Sequence, residues 1–175
     1  MQFKTLLPGS FEIIPDRIED QRGFFARSYC KSEFAQQGIS CEFDQCSISF
    51  NKAKGTLRGM HFQADPYGEY KLVRCTRGSI YDVIVDLRKE SATFLQWTSV
   101  ILSEENRKMV FVPPGFAHGF QTLEDASEVY YQIAGIYVPN AACGVRWNDP
   151  ALKISWPDNV SMISDKDMTY EFLQL

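Results

Sequence analysis

The sequence predicts an all-β fold of the sandwich or barrel type, and three observations support this prediction. Residues 79–88, SIYDVIVDLR, alternate strictly between two faces, as a β-strand requires. Further strand-like segments follow about every eight to twelve residues, with Pro or Gly between them. Signals for helices are few. This pattern is typical of a β-sandwich or barrel and differs from the alternating strands and helices of a parallel sheet.

The clearest helical signal is short and lies at residues 32–37. Ser32 is the predicted N-cap, and Gly38 stands just past the helix end, where glycine commonly stops a helix. A second short turn is predicted after Ser103, in the segment SEENRK.

The central strands follow one another closely. KLVRC at residues 71–75 is predicted to form a hairpin with residues 79–88 through the connection TRG at residues 76–78. In the second of these strands one face carries Tyr81, Val83, Val85 and Leu87, and the other carries Ile80, Asp82, Ile84 and Asp86. Further strands are predicted at residues 96–102, 108–112, 116–123 and 128–133.

Length and charge set limits on the class of protein. The chain has 175 residues, which suits a single domain over residues 1–175. Its formal net charge of −4 gives no basic surface for nucleic acid. No apolar run approaches the ~20 residues of a membrane helix, and no signal peptide is expected.

The cysteines indicate a reducing compartment. The chain contains five of them, an odd number without any C-x-x-C pair. Reduced, mostly buried thiols in a cytoplasmic protein are therefore expected. A nucleophilic cysteine is less well supported, because no histidine or other base stands beside one in the sequence.

Polar side chains interrupt several of the predicted strands. Alternate residues of a small barrel point inward, where a polar group without a partner is costly to bury. Each of these residues taken singly could point outward to water. Together they favour a barrel whose open end binds a ligand. They are Arg58, His61, Lys71, Asp82, His118 and Tyr131.

Acid–base chemistry is the reaction type that these residues support best. His61 stands in LRGMHFQ and His118 in PPGFAHGFQ, each near glycines that permit a close approach of ligand or backbone. An unperturbed imidazole has a pKa of about 6.5, which suits a base, and a tyrosine such as Tyr131 can supply a proton. Asp165 or Asp167 would be available to orient His61.

Other site types have weaker support. The two histidines form no H-x-H motif, although a site of two histidines and one carboxylate could be assembled in space. The sequence contains no G-x-S-x-G motif, P-loop or dinucleotide fingerprint. We therefore expect no metal and no cofactor.

Several motifs together give the chain a resemblance that runs nearly end to end. They are DQRGFFARSY (20–29), GTLRGMHFQ (55–63), KLVRCTRGSIYDVIVDLR (71–88), VPPGFAHGFQTL (112–123), GVRWNDPALKISWP (144–157) and SDKD (164–167). The chain resembles the dTDP-4-dehydrorhamnose 3,5-epimerase family, whose members are cupin-like jelly-roll proteins. The resemblance implies that fold, with a few short helices.

The resemblance also implies a reaction. The substrate would be a nucleoside-diphosphate 4-keto-6-deoxy sugar, inverted at carbon 3, carbon 5 or both through an enolate. His61 matches the family's base and Asp167 its carboxylate partner. Lys71 matches the residue that stabilises the enolate oxygen, and Tyr131 matches the acid that returns a proton from the opposite face.

Substrate binding and assembly are implied in the same way. Arg22 and Arg58 match residues that hold the diphosphate, and Arg22 would come from the neighbouring subunit of a homodimer. The remaining substrate-binding positions are Phe25, Gln45, Ser47, Ser49, Glu69, His118 and Tyr137.

Four positions depart from the family's pattern. Ser47 stands where Asn is common, Glu69 where Gln is, Tyr70 where Gly is and Ala142 where Glu is. These departures put the preferred nucleotide or sugar in doubt and leave the acid–base residues unchanged. Glu69 would place an extra negative charge near a diphosphate, unless it turns away or pairs with an arginine.

Three alternatives to an epimerase remain at this point. A 3,4-ketoisomerase of the same fold would move the ketone itself. A metal-dependent cupin oxygenase would need a metal bound in the barrel. A non-catalytic module would bind the sugar nucleotide without proton exchange.

Overall fold

The structure is a computed structural model that describes residues 1–174, and it consists mostly of antiparallel strands. In chain order the strands are β1 (Gln2–Thr5), β2 (Phe11–Ile14), β3 (Arg17–Asp20), β4 (Gly23–Ala26), β5 (Gln45–Asn51), β6 (Leu57–Gln63), β7 (Tyr70–Arg77), β8 (Ser79–Asp86), β9 (Trp97–Ser103), β10 (Met109–Val112), β11 (Phe116–Thr122), β12 (Ser127–Ala134) and β13 (Ala142–Gly144). The all-β class predicted from the sequence is confirmed.

The strands form two large sheets and a separate hairpin. The first sheet has the strand order β1-β2-β10-β7-β12-β5, and the second has the order β13-β6-β11-β8-β9. Strands β3 and β4 pair only with each other in the described residues. The predicted strands after residue 95 agree with β9 to β12 apart from their ends, whereas β1 to β5 were not predicted.

The main core lies between the two sheets, where apolar side chains from both inner faces meet. The first sheet contributes Val73, Val110 and Val129, among others, and the second contributes Ile84 and Phe120. Burial of such side chains contributes about 1.5–3 kcal/mol each. The core therefore fixes how far apart the two sheets stand.

Strand β8 shows the predicted alternation, but both of its faces are buried. Ile80 and Ile84 point into the core between the sheets. Val83 and Val85 point to the other face, where the C-terminal segment covers them with Val145 and further apolar side chains. This covering segment brings the C-terminal residues next to the second sheet.

The predicted hairpin at residues 76–78 is wrong. Strands β7 and β8 lie in different sheets, so the chain crosses from one sheet to the other at Gly78. Both edges of β7 are already paired with β10 and β12, and both edges of β8 are paired with β9 and β11. Gly78 has a φ of +71°, and a Cβ there would lie 2.6 Å from Ser127 Oγ, so glycine suits this tight crossing.

Two short helices are present in residues 1–174, α1 (Lys31–Gln36) and α2 (Asp165–Thr169), with a 3₁₀ turn at Pro139–Ala141. None of the helices in this part of the chain is long and apolar enough to cross a membrane. The predicted N-cap Ser32 is wrong, because the extended residue Cys30 caps α1 and Ser32 lies within its first turn. Helix α2 was not predicted.

The five cysteines are free thiols. Only Cys75 is buried, while Cys46 is exposed and the other three are intermediate, so the prediction of mostly buried thiols is wrong. Burial raises the pKa of the Cys75 thiol to about 11, which keeps it protonated at neutral pH.

A buried carboxylate stabilises the loop after β8. Asp86 is 0% exposed and accepts hydrogen bonds from Arg88 Nη2, Ser91 Oγ and Thr93 Oγ1, each at 2.7 Å. Burial alone would raise the pKa of Asp86, but these hydrogen bonds outweigh it and hold the pKa well below its usual range. The carboxylate is therefore more stable in the folded chain than in the unfolded one.

Replacing Asp86 by Asn should lower the free energy of unfolding at pH 7 by about 1.5–3 kcal/mol, because Arg88, Ser91 and Thr93 lose a charged hydrogen-bond acceptor. The depressed pKa stabilises the fold above the unfolded pKa of about 3.9, and this stabilisation is lost as pH falls toward the folded value. Urea unfolding between pH 3 and pH 7 should thus show that the free energy of unfolding falls less steeply with decreasing pH for Asp86→Asn than for the wild type. Glu90→Gln, on the same loop and exposed, is the control; equal slopes for the wild type and Asp86→Asn would contradict the prediction.

Candidate functional site

A cavity of about 520 Å³ opens between strands of the two sheets, and its size falls in the usual range for small-molecule sites. It is lined by ten of the thirteen predicted site residues, namely Gln45, Ser47, Arg58, His61, Glu69, Lys71, His118, Tyr131, Tyr137 and Asp167. Ser49 lines a smaller cavity of about 210 Å³ that shares Arg58, His61, His118 and Tyr131 with the larger one. The structure thus brings together residues that are far apart in the sequence.

Arg22 and Phe25 lie elsewhere. They belong to the β3–β4 hairpin and do not line either of these two cavities. The side chain of Arg22 is 89% exposed and pairs with Asp20, with Nη2 at 2.6 Å from Oδ2. Phe25 is 74% exposed. Both residues are therefore open to contact from outside this chain.

His61 faces the cavity from β6, and its Nε2 lies 2.7 Å from Asp167 Oδ1. The His61 side chain is 43% exposed, whereas Asp167 is only 4% exposed. A buried carboxylate thus holds one edge of the imidazole, and the rest of the ring remains open to the cavity. This arrangement suits a base whose orientation and charged form are both stabilised by a carboxylate.

Helix α2 holds Asp167 in place. Ser164 caps the helix and accepts a hydrogen bond at 3.1 Å from the backbone N–H of Asp167. The other carboxylate oxygen of Asp167 accepts a hydrogen bond at 3.2 Å from the Gly59 N–H. Burial raises the pKa of Asp167. The hydrogen bond and the charge of His61, together with the hydrogen bond from the Gly59 N–H, lower it by more, so the pKa lies below its usual value.

Two glycines allow β6 and β11 to approach closely beside His61. A Cβ at Gly59 would lie 2.5 Å from Gly119 Cα, and a Cβ at Gly119 would lie 2.7 Å from Arg58 O. The next pair in the register places His61 opposite His118. The glycines in both histidine motifs therefore serve close packing of backbone against backbone, and the sequence suggested such an approach.

Lys71 and Glu69 form an ion pair on the opposite wall. Lys71 Nζ lies 3.0 Å from Glu69 Oε1 and donates to the His61 carbonyl oxygen at 3.4 Å. The Lys71 and Glu69 side chains are 9% and 11% exposed. Glu69 was expected either to turn away or to pair with an arginine; it pairs with Lys71 instead.

Tyr131 on β12 contacts a second histidine–carboxylate pair. His118 Nε2 lies 2.8 Å from Asp82 Oδ2, and both side chains are almost fully buried. The His118 and Tyr131 rings meet edge to face with centroids 6.0 Å apart. Burial and the negative charge of Asp82 raise the pKa of Tyr131, against a smaller opposing effect of Arg58. The phenol is therefore protonated at neutral pH.

Arg58 leaves β6 on the side of the cavity that faces β5. Its Nε donates to Asn51 Oδ1 at 2.7 Å, which orients the guanidinium while its outer face remains exposed. Gln45 Nε2 donates to the Gly135 carbonyl at 3.3 Å. An exposed, oriented guanidinium suits a phosphate group.

Sequence reasoning missed several lining residues, which are Phe62, Gln63, Ile133, Cys143, Ser164, Lys166 and Tyr170. Gln63 and Lys166 stand inside motifs that were recognised, LRGMHFQ and SDKD. Tyr170 has no sequence signal of its own. Its ring packs on Gly144, where a Cβ would lie 2.2 Å away, and its centroid lies 6.1 Å from that of His61.

Within residues 1–174 no group of three or more His, Cys, Asp or Glu side chains is arranged to hold a metal ion. Each histidine Nε2 instead meets its own carboxylate. A paired imidazole, an ammonium group and a protonated phenol face one cavity. These groups can take a proton, stabilise the resulting anion and return a proton.

Residues 4–174 match the family model of dTDP-4-dehydrorhamnose 3,5-epimerase. The chain belongs to this family. Among curated members, the dTDP-4-dehydrorhamnose 3,5-epimerase of Methanothermobacter thermautotrophicus is 43% identical, in an alignment that covers 98% of this chain and 93% of that protein.

Two solved structures of this family superpose closely on the chain. The Bacillus anthracis epimerase, with TDP and PPi bound, has a TM-score of 0.94 and 42% identity, and covers 97% of both chains. The Legionella pneumophila epimerase, in complex with dTDP-4-keto-L-rhamnose, has a TM-score of 0.90 and 35% identity over 98% of this chain and 92% of that chain. The cupin-like jelly-roll prediction is confirmed.

A matched pair of alanine variants can separate two effects of a side chain at Gly59, namely the clash with β11 and the strain of a positive φ. Gly59 and Gly23 have φ values of +126° and +124°, but a Cβ at Gly23 meets nothing within 4 Å. Gly59→Ala should therefore cost about 1–3 kcal/mol more than Gly23→Ala, since it alone forces β6 and β11 apart. Urea unfolding of both variants at one protein concentration measures the difference. An equal loss in the two variants would refute the close-packing explanation.

Proposed function

We propose that the protein is an epimerase that inverts carbon 3, carbon 5 or both in a nucleoside-diphosphate 4-keto-6-deoxy sugar, within deoxysugar biosynthesis. The observation that carries the proposal is the His61–Asp167 pair in one cavity with Lys71 and Tyr131. The reaction proceeds by removal and return of a proton, and it uses side chains alone, without a metal or cofactor. A cytoplasmic location is part of the same proposal.

Proton removal begins at a carbon next to the ketone. The carbon-4 ketone acidifies the hydrogens on carbons 3 and 5, because the carbanion is delocalised onto oxygen. The neutral imidazole of His61 accepts the proton, and the charged carboxylate of Asp167 stabilises the imidazolium that forms. Since the pKa of Asp167 lies below its usual value, the carboxylate is charged at neutral pH and keeps the proton on His61.

The enolate oxygen needs a donor at the moment its charge develops. Lys71 uses one donor for Glu69 and one for the His61 carbonyl, which leaves a third N–H for the ketone oxygen. Donors of this kind contribute about 10²–10³ in rate. The ammonium group is fixed before the substrate binds, so little reorganisation is needed.

Inversion requires a proton from the face opposite the base. His61 lies on β6 in the second sheet and Tyr131 on β12 in the first sheet, so the two side chains reach the cavity from different sheets. The raised pKa keeps the Tyr131 proton available for delivery to the enolate carbon. Solvent then removes the proton from His61 and restores the one on Tyr131.

Arg58 is proposed to bind the diphosphate, and Gln45, Ser47, Ser49, His118 and Tyr137 to contact the rest of the substrate. Thymine is the proposed base of the nucleotide, since the related Bacillus anthracis enzyme binds TDP and the Legionella pneumophila enzyme binds dTDP-4-keto-L-rhamnose. Arg22 and Phe25 are proposed to enter the site of the partner in a homodimer, because both are exposed on the β3–β4 hairpin.

Solvent deuterium exchange tests the reaction. The wild type should introduce deuterium at carbon 3, carbon 5 or both of dTDP-4-dehydro-6-deoxyglucose, with the ketone retained at carbon 4 in the NMR spectrum. His61→Ala and Asp167→Asn should each slow exchange by about 10²-fold or more, because the base or its orientation is lost. Asp165→Asn, in the same helix but exposed, is the matched control.

The outcomes separate the alternatives. If the wild type introduced deuterium at neither carbon, the epimerase proposal would be contradicted. A product with the ketone moved to carbon 3 would indicate a ketoisomerase. Equal losses in Asp165→Asn and Asp167→Asn would remove the special role of Asp167.

Mixed dimers test the contribution of Arg22. Arg22→Ala and His61→Ala should each be nearly inactive alone. Co-expressed, they should recover about a quarter of wild-type activity, because random pairing gives half heterodimers and each of these has one intact site. No recovery in heterodimers verified by native mass spectrometry would show that Arg22 does not act across subunits.

A further inference from the structure

A chain of hydrogen bonds links Lys71 to the loop that carries Tyr137. Glu69 Oε1 pairs with Lys71 Nζ at 3.0 Å, and Glu69 Oε2 accepts from Gln63 Nε2 at 3.1 Å. The Gln63 side chain then bonds the backbone on both sides of Tyr137. Its Nε2 donates to the Ile136 carbonyl at 3.2 Å, and its Oε1 accepts from the Val138 N–H at 2.8 Å.

The bonding pattern requires a carboxylate at position 69. Both oxygens of Glu69 face donors, one from Lys71 and one from Gln63. A glutamine side chain has one oxygen and one NH₂ group, so it could accept from only one of these two donors. The other donor would then face an NH₂ group and lose its hydrogen bond to residue 69, whose side chain in the wild type is only 11% exposed.

The charge of Glu69 has a second effect on the same wall of the cavity. An unpaired, largely buried ammonium group attracts phosphate oxygens strongly. Paired with Glu69, Lys71 presents almost no net charge to a diphosphate. The exposed guanidinium of Arg58 is then the stronger site for phosphate, and Lys71 remains available for the ketone oxygen.

We propose that Glu69 is a positioning residue with two effects on the proposed reaction. It fixes the Lys71 ammonium relative to the Tyr137 loop, and it keeps the diphosphate away from Lys71. This inference rests on the proposed epimerase function. It assigns Glu69 a role in selecting how the sugar nucleotide lies in the cavity, with the sugar at the Lys71–Glu69 pair and the diphosphate at Arg58.

Glu69→Gln tests both effects, because it should slow the exchange reaction and at the same time strengthen the binding of dTDP. Solvent exchange into the keto sugar should slow by about tenfold or more, because Lys71 loses its fixed position. The Kd of dTDP, measured by calorimetry, should fall severalfold, because an unneutralised ammonium group attracts phosphate. A residue that merely supports the fold would weaken both binding and exchange when replaced. Asp65→Asn, an exposed carboxylate nearby in the sequence, is the control.

A double-mutant comparison shows whether Glu69 acts through Lys71. In a Lys71→Met background, Glu69→Gln should cause no further loss of exchange rate, since the group it positions is absent. If Glu69→Gln lowered the exchange rate by the same factor in the Lys71→Met background as in the wild type, the proposal would be overturned. The proposal would also be overturned if Glu69→Gln alone left the exchange rate unchanged or weakened the binding of dTDP.

Glu69→Asp keeps the charge but shortens the side chain. Exchange should slow while the Kd of dTDP stays at the wild-type value. If Glu69→Gln does not fold, Glu69→Asp is used in its place. A changed dTDP affinity in Glu69→Asp would overturn the charge argument. If the wild type itself exchanges no deuterium, the proposed function fails, whereas the dTDP measurements still test the effect of Glu69 on phosphate binding.

Discussion

The close approach of β6 and β11 at Gly59 and Gly119 is the constraint on which the rest of the site depends. It lets the backbone of β6 pass near enough to β11 for His61 to stand opposite His118. It also turns the Gly59 N–H toward Asp167, which joins the C-terminal helix to the second sheet. A side chain at either glycine would move His61 and Asp167 together.

Ionisable side chains in and beside the cavity are arranged as neighbouring pairs. His61 faces Asp167, His118 faces Asp82, and Lys71 faces Glu69. Buried charges are stable only when paired, so each pair fixes two side chains where a ligand of matching shape would meet them. Within residues 1–174, one buried carboxylate oxygen, Asp82 Oδ1, has no hydrogen-bond partner, and its charge contributes to the raised pKa of Tyr131.

The sequence was most informative where a local pattern decides the structure. Alternation in residues 79–88 and the spacing of the later strands predicted β8 to β12, and the family resemblance predicted ten of the residues that line the cavity. The connection at Gly78 was mispredicted because a short turn between two strands does not reveal which sheet each one joins. Tyr170 lines the cavity through contacts with Gly144 and His61, which lie far from it in the sequence, and no local pattern encodes such contacts.

The structure also gives a physical reason why His61 and not His118 is suited to be the base. Both histidines pair through Nε2 with a carboxylate, so the pairing alone does not separate them. The His61 side chain is 43% exposed, whereas that of His118 is 4% exposed. A base must reach the carbon that loses its proton and afterwards return that proton to water, and only His61 is open enough for both steps. His118, held between Asp82 and the Tyr131 ring, is placed to orient Tyr131, the proposed acid.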